Sequence, residues 1–114
     1  MHVTSILFFA LTFITSTAFP NELIGTVVGI TDGDTLKLLV DRKQYKIRLA
    51  AIDTPEKGQP WGNNATKALS EKVFREEVRI EVIDTDRYGR LFGRIWLDGR
   101  DINRELVAEG HAWV

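Results

Sequence analysis

Between Leu23 and Leu49 the chain passes through three short segments, LIGTVVGI, TLKLLV and QYKIRL, interrupted only by polar breaks that contain Asp32-Gly33 and Asp41-Arg42-Lys43. Connections this short can join only antiparallel neighbours, because a parallel pair needs a crossover of about a dozen residues or more. The third segment also fixes two faces. Tyr45, Ile47 and Leu49 alternate with Gln44, Lys46 and Arg48, so one side of the strand is apolar and the other wet. Such a chain must wrap a meander around its apolar face, and Arg48 must point to the opposite side.

The remainder continues in the same style. After the loop TPEKGQPWGNN, Ala65, Ala68, Leu69 and Val73 fall at helical spacing, and Asn63 or Asn64 is expected to cap that helix. VRIEVI (78–83) and LFGRIWL (91–97) read as strands around the turn DTDRYGR, and DINRELVAEG (101–110) reads as a short helix from an Asp101 cap to a Gly110 stop. The order β-β-β-α-β-β-α gives a mainly β (α+β) protein. It matches the OB-fold, a five-stranded, partly open Greek-key barrel with a helix after strand 3 and, here, a short helix after strand 5. Gly25, Gly29 and Gly93 inside strand patterns suit the bends such a barrel requires. Trp61, Trp96 and Trp113 are expected to be core or lid aromatics, and His111, just past a helix stop, to be structural.

Charge separates this body from what precedes it. All 15 Lys/Arg and all 16 Asp/Glu residues lie after position 20. The first segment carries an apolar run, Ile6–Ile14, followed by the small residues Ser16-Thr17-Ala18. Residues 1–18 therefore read as a secretory signal cleaved near Ala18, with 19–114 as the exported domain. A secreted or periplasmic location follows, without stable membrane association after processing; the alternative is an uncleaved anchor, since only the amino terminus and His2 supply positive charge to the segment. The chain has no cysteine, which excludes a thiolate nucleophile and disulfide staples. His111 is the only histidine outside the leader, so if the chain is an enzyme its chemistry falls to carboxylates and arginines, with or without a metal. A net charge of −1 argues against binding of a polyanion by bulk attraction, leaving a few placed arginines for any phosphate contact.

Two stretches hold such residues together, TDGDT (31–35) and IRLAAIDTPE (47–56). Asp34 opens strand 2 and Asp53 follows strand 3, and adjacent antiparallel strands place the start of one beside the end of the next. Two carboxylates meeting there, with a backbone carbonyl and water, suit Ca²⁺ or Mg²⁺ rather than a softer metal. Read separately, each stretch is an ordinary turn or helix-start signature. With Arg48 between them they need a common partner, and a phosphodiester is one. Arg48 and Arg90 offer planar forks for its oxygens, and Glu56 is the nearby base able to activate water. Arg87 and Tyr88, in the turn before Arg90, are candidate substrate contacts, although a solvated turn charge and a packing aromatic account for them equally.

The series VVGITDGDTLKL, YKIRLAAIDTPE, DRYGRLFGRIW and GRDINRELVAEGHAWV resembles the staphylococcal nuclease-like (thermonuclease) family along residues 23–114. The resemblance implies a calcium-dependent, monomeric endonuclease on an OB-fold. It would cut DNA and RNA, favouring single strands, and leave 5′-hydroxyl and 3′-phosphate ends. It implies Ca²⁺ held by the side chains of Asp34 and Asp53 and the carbonyl of Thr54, phosphate clamped by Arg48 and Arg90, and water activated or positioned by Glu56. It also implies continuation past the WV ending into an aromatic hydroxyl residue and a closing helix, so that 19–114 reads as a domain trimmed at its C-terminus. The alternative is a non-catalytic OB-fold module that binds nucleic acid without cutting it. Its mark would be a lost carboxylate or arginine, and none is missing.

Overall fold

The structure, a computed structural model, describes residues 21–114. The expected signal sequence, residues 1–18, lies outside the described residues. Strands β1 (Glu22–Asp32), β2 (Thr35–Val40) and β3 (Lys43–Leu49) form the meander, followed by helix α1 (Gly62–Val73), strands β4 (Glu77–Thr85) and β5 (Leu91–Leu97), a two-residue β6 (Arg100–Asp101) and helix α2 (Ile102–Ala108). The sheet order is β3-β2-β1-β4-β5-β6, and β3 also pairs with β5 in parallel. That last pairing, Ile47 with Leu91 through Leu49 with Gly93, closes β1–β5 into a barrel. The barrel is closed where the sequence suggested a partly open one, and β6 is an addition that pairs with the end of β5 across the Asp98-Gly99 turn.

Alternation along the strands explains the core. Val27, Leu36, Leu38, Ile47, Leu49, Ile80 and Ile95 are fully buried, joined by Leu69 and Val73 of α1 and by Ile102 and Leu106 of α2. Long β1 serves two neighbours, β2 and β4, by bending. Its pairing with β2 shifts register between Val27 and Gly29 and again between Ile30 and Asp32. Gly25 permits the tightest approach of this bend, since a Cβ there would lie 2.4 Å from the Leu39 carbonyl oxygen.

The tryptophans are not core residues. Trp61 is 76% exposed and Trp113 52% exposed, and both border an open cleft with Pro55. Trp96 alternates outward between buried Ile95 and Leu97, under the Arg79 guanidinium and donating to Glu81. Aliphatic side chains already fill this small barrel, so the large rings are left on its surface. The expected asparagine cap of α1 is also absent. The helix begins at Gly62 after Trp61, a residue in left-handed conformation (φ 69°) that makes no side-chain cap, and Asn63 and Asn64 fall within the first turn.

Helix α2 follows expectation: Asp101 accepts from the Arg104 N–H at its start. At its end, the Gly110 N–H donates to the Val107 carbonyl and the His111 N–H to the Leu106 carbonyl, a Schellman closure that gives His111 a structural role. The two helices are tied by charge. Arg100 donates twice to Glu105, at 2.7 Å each, and Lys72 of α1 reaches Glu105 and Glu109. The Arg100 and Lys72 hydrogen bonds lower the Glu105 carboxyl from its ordinary 4.5 to about 2. A depressed carboxyl stabilises the fold above its unfolded value, and that contribution disappears as pH falls from about 4.5 towards 2. Glu105→Gln should therefore cost about 1 kcal/mol at neutral pH and low salt, and the gap from the parent should close by about pH 2 in thermal melts across that range.

Candidate active site

The polar site is assembled by strand register. Thr35 at the start of β2 is opposite Arg48 near the end of β3, and the Leu49 N–H donates to the Asp34 carbonyl at 2.8 Å. Asp34 is thus fixed beside the end of β3. Just beyond, Asp53 and Trp113 exchange two backbone hydrogen bonds, of 2.8 and 2.9 Å, which anchor the chain after β3. The β3–β5 seam brings in the last member: Arg48 is paired with Phe92, so Arg90 lies just before the strand that flanks Arg48.

Asp32, Asp34, Thr35, Arg48, Asp53, Thr54, Glu56 and Arg90 line one cavity of about 210 Å³. All six residues assigned to chemistry or metal from sequence are therefore together. The common partner of the two aspartates is Arg48 itself, whose Nη2 is 2.6 Å from Asp53 Oδ1 and whose Nη1 is 3.3 Å from Asp34 Oδ2. Nη1 also donates to the carbonyls of Leu49 and Ile52, at 2.9 and 2.8 Å, so the guanidinium is held in one orientation. Asp34 accepts further from the Thr35 hydroxyl at 3.0 Å. The hydroxyl of Thr54 is buried and, among the described residues, has no hydrogen-bond partner.

Arg90 is positioned by its own turn. Asp86 accepts from the Tyr88 and Arg90 N–H groups and, at 3.0 Å, from Arg90 Nε. Burial alone would raise the Asp86 carboxyl, but these hydrogen bonds and the Arg90 charge hold it below its ordinary 3.8. The Arg90 guanidinium also stacks on Phe92, 5.3 Å from the ring centre. Tyr88, 84% exposed, lines a neighbouring cavity with Lys46, Asp86 and Arg90, while Arg87 lies over the Tyr88 ring and does not line either cavity.

Sequence reasoning missed Asp32 and Lys46, which line these two cavities. Lys46 was visible as a wet-face residue two positions before Arg48. Asp32 shares a glycine with Asp34, and only the folded loop reveals that it also accepts the Lys57 N–H at 3.0 Å.

The side-chain groups in the cavity able to ligate a metal, the carboxylates and hydroxyls, all offer oxygen, which fits a hard divalent cation. Four carboxylates face two guanidinium groups there, so an added cation would relieve a local excess of negative charge. Among the described residues, no three acidic or histidine side chains converge as a ready-made cage. An ion would be held by few protein atoms and by water.

The chain is 44% identical over 101 residues to Protein ParB of Escherichia coli, 41% over 98 to a micrococcal nuclease of Shigella flexneri, and 34% over 100 to the thermonuclease of Staphylococcus hyicus. Those alignments take in 78–81% of this chain and 56–59% of the relatives, so the chain spans little more than half their length. Residues 46–114 match the family model described as staphylococcal nuclease homologue. With the closed OB barrel and the matching relatives, this places the chain in the staphylococcal nuclease family.

Proposed function

We propose that the chain is a calcium-dependent endonuclease that hydrolyses phosphodiester bonds of DNA and RNA and leaves 5′-hydroxyl and 3′-phosphate ends. The observation that carries this reading is that Arg48, Arg90, Glu56 and the paired aspartates line one and the same polar cavity. Arg48 and Arg90 bind the non-bridging oxygens, where charge increases as water adds to phosphorus. Glu56 accepts the proton of that water, the bond from phosphorus to the 5′ oxygen breaks, and solvent protonates the leaving oxygen. Asp34, Asp53 and the Thr54 carbonyl would hold Ca²⁺, which supplies Lewis-acid polarisation of the phosphate.

Lys46 and Tyr88 extend the contact along the neighbouring nucleotide, with Tyr88 offering a base the ring face that Arg87 leaves open. Unpaired bases suit that contact, which favours single-stranded substrates. The chain acts as a monomer, exported to the periplasm or medium after removal of residues 1–18.

Incubation of the protein with single-stranded DNA should yield short products with 3′-phosphate ends. A calcium chelator should lower the rate by about 100-fold or more, with restoration by excess Ca²⁺. Folded protein giving no chelator-sensitive product would overturn this reading and favour a binding module of the same fold.

A further inference from the structure

Glu56 is exposed, in the loop between β3 and α1, where a carboxylate would ordinarily sample many positions. Its backbone is nevertheless tied on three sides. The Glu56 N–H donates to the Gln59 side-chain oxygen at 2.8 Å, and the Glu56 carbonyl accepts the Gln59 N–H at 2.9 Å. Gly62 packs so tightly against this carbonyl that a Cβ there would lie 1.8 Å from the oxygen. The Gly62 N–H then donates to the Gln59 carbonyl, so the loop closes on itself as α1 begins.

The third tie leaves the loop. Asp32 Oδ1 accepts the Lys57 N–H at 3.0 Å across 25 residues of sequence. Asp32 is at the end of β1, one glycine away from Asp34, so one tight turn carries both an aspartate of the site and the anchor for the residue after Glu56. Gly33 completes this contact: a Cβ on it would lie 2.7 Å from Ala65 of α1 and 2.9 Å from the Thr54 hydroxyl. The β1–β2 turn and the Glu56 loop are thereby docked as one unit.

We propose that Asp32 is a positioning residue for Glu56, acting as a hydrogen-bond acceptor for the loop rather than through its charge, with Gln59 and Gly62 completing the frame. The proposal rests on the nuclease reading for its catalytic consequence. Its structural content does not depend on that reading. A neutral acceptor of the same shape should do the same work, which separates this role from that of a metal-directed or purely electrostatic carboxylate.

Asp32→Ala should lower kcat on an oligodeoxynucleotide by about 10- to 100-fold with little change in KM, as expected when a reacting group is displaced by about an ångström. Asp32→Asn should recover most of that loss. In a Glu56→Gln background Asp32→Ala should cost almost nothing further, because a residue that acts through Glu56 has no effect once the carboxylate is gone. Exchange of the Lys57 amide, followed by NMR in metal-free protein, should accelerate about tenfold or more in Asp32→Ala and stay near the parent rate in Asp32→Asn.

Asp32→Asn as defective as Asp32→Ala, or full additivity with Glu56→Gln, would overturn the proposal. So would unchanged Lys57 exchange in Asp32→Ala. Should the parent protein fail to cleave while Lys57 exchange responds as described, the nuclease reading falls and the loop anchor stands.

Discussion

Replacing Arg48 by alanine is expected to lower kcat/KM on single-stranded DNA by about 10³-fold or more, the range seen when a preorganised cationic donor is removed from a phosphoryl-transfer site. The size follows from how many groups depend on one guanidinium. Arg48 neutralises Asp34 and Asp53 and satisfies the carbonyls of Leu49 and Ile52. Without it, the cavity would present its carboxylates to an anionic substrate with only Arg90 opposing them. Two further variants separate catalysis from folding. Arg48→Lys keeps the charge but cannot span four acceptors with one planar fork, so it should recover part of the thermal stability and little of the rate. Glu56→Gln should lose rate on a similar scale with an unchanged melting temperature, since Glu56 is exposed and its ties run through the backbone. Steady-state kinetics and thermal melts on the three variants check this. A wild-type rate in Arg48→Lys would remove the bidentate clamp from the mechanism.

Local signals carried most of the barrel. TLKLLV and LFGRIWL are β2 and β5 residue for residue, because each is a short apolar run bounded by turn residues at both ends. The clustering of Asp34, Arg48 and Asp53 was legible because antiparallel register places strand ends side by side. What could not be read depends on contacts between elements. An acceptor role for Asp32 towards an amide 25 positions away leaves no periodic trace, and Asp32-Gly33 looks the same in any tight turn. The start of α1 was misplaced because Gly62 is selected by its approach to the Glu56 carbonyl rather than by a cap. A core place for the tryptophans failed because composition says what could fill a core, and only the assembled barrel says that Ile, Leu and Val have already filled it. Barrel closure was equally hidden, because a parallel seam between β3 and β5 has no signature in either strand alone.

That seam is the subject of the second large effect. Asn103 is 1% exposed, a primary amide inside an aliphatic core, and at position 103 of a helical pattern it carries no outward sign of burial. Its Nδ2 donates to the carbonyls of Ala50 and Gly93, at 3.1 and 3.2 Å, and its Oδ1 accepts the Ile95 N–H at 3.1 Å. Ala50 follows β3 and Gly93 belongs to β5, and the Ala50 N–H itself donates to the Gly93 carbonyl at 2.8 Å. One side chain from α2 therefore staples both edges of the seam. Asn103→Ala would leave the Ile95 N–H and the Ala50 carbonyl buried without these partners, at a cost of about 3 kcal/mol, or a fall in Tm of about 10–20 °C. Asn103→Asp tests the polarity of the staple. It keeps an acceptor for Ile95 but turns a carboxylate towards two carbonyl oxygens, which raises the folded-state affinity for a proton. A raised folded value means that stability is lost as pH rises above the ordinary carboxylate range, so Asn103→Asp should gain stability on acidification. Thermal melts of both variants from pH 7 downwards measure this. A flat profile for Asn103→Asp would mean that water or rearranged backbone satisfies the seam. Because Leu91 pairs with Ile47 across the same seam, a loosened Asn103 variant should also release Arg90 from its place beside Arg48 and lose nuclease activity below its melting point.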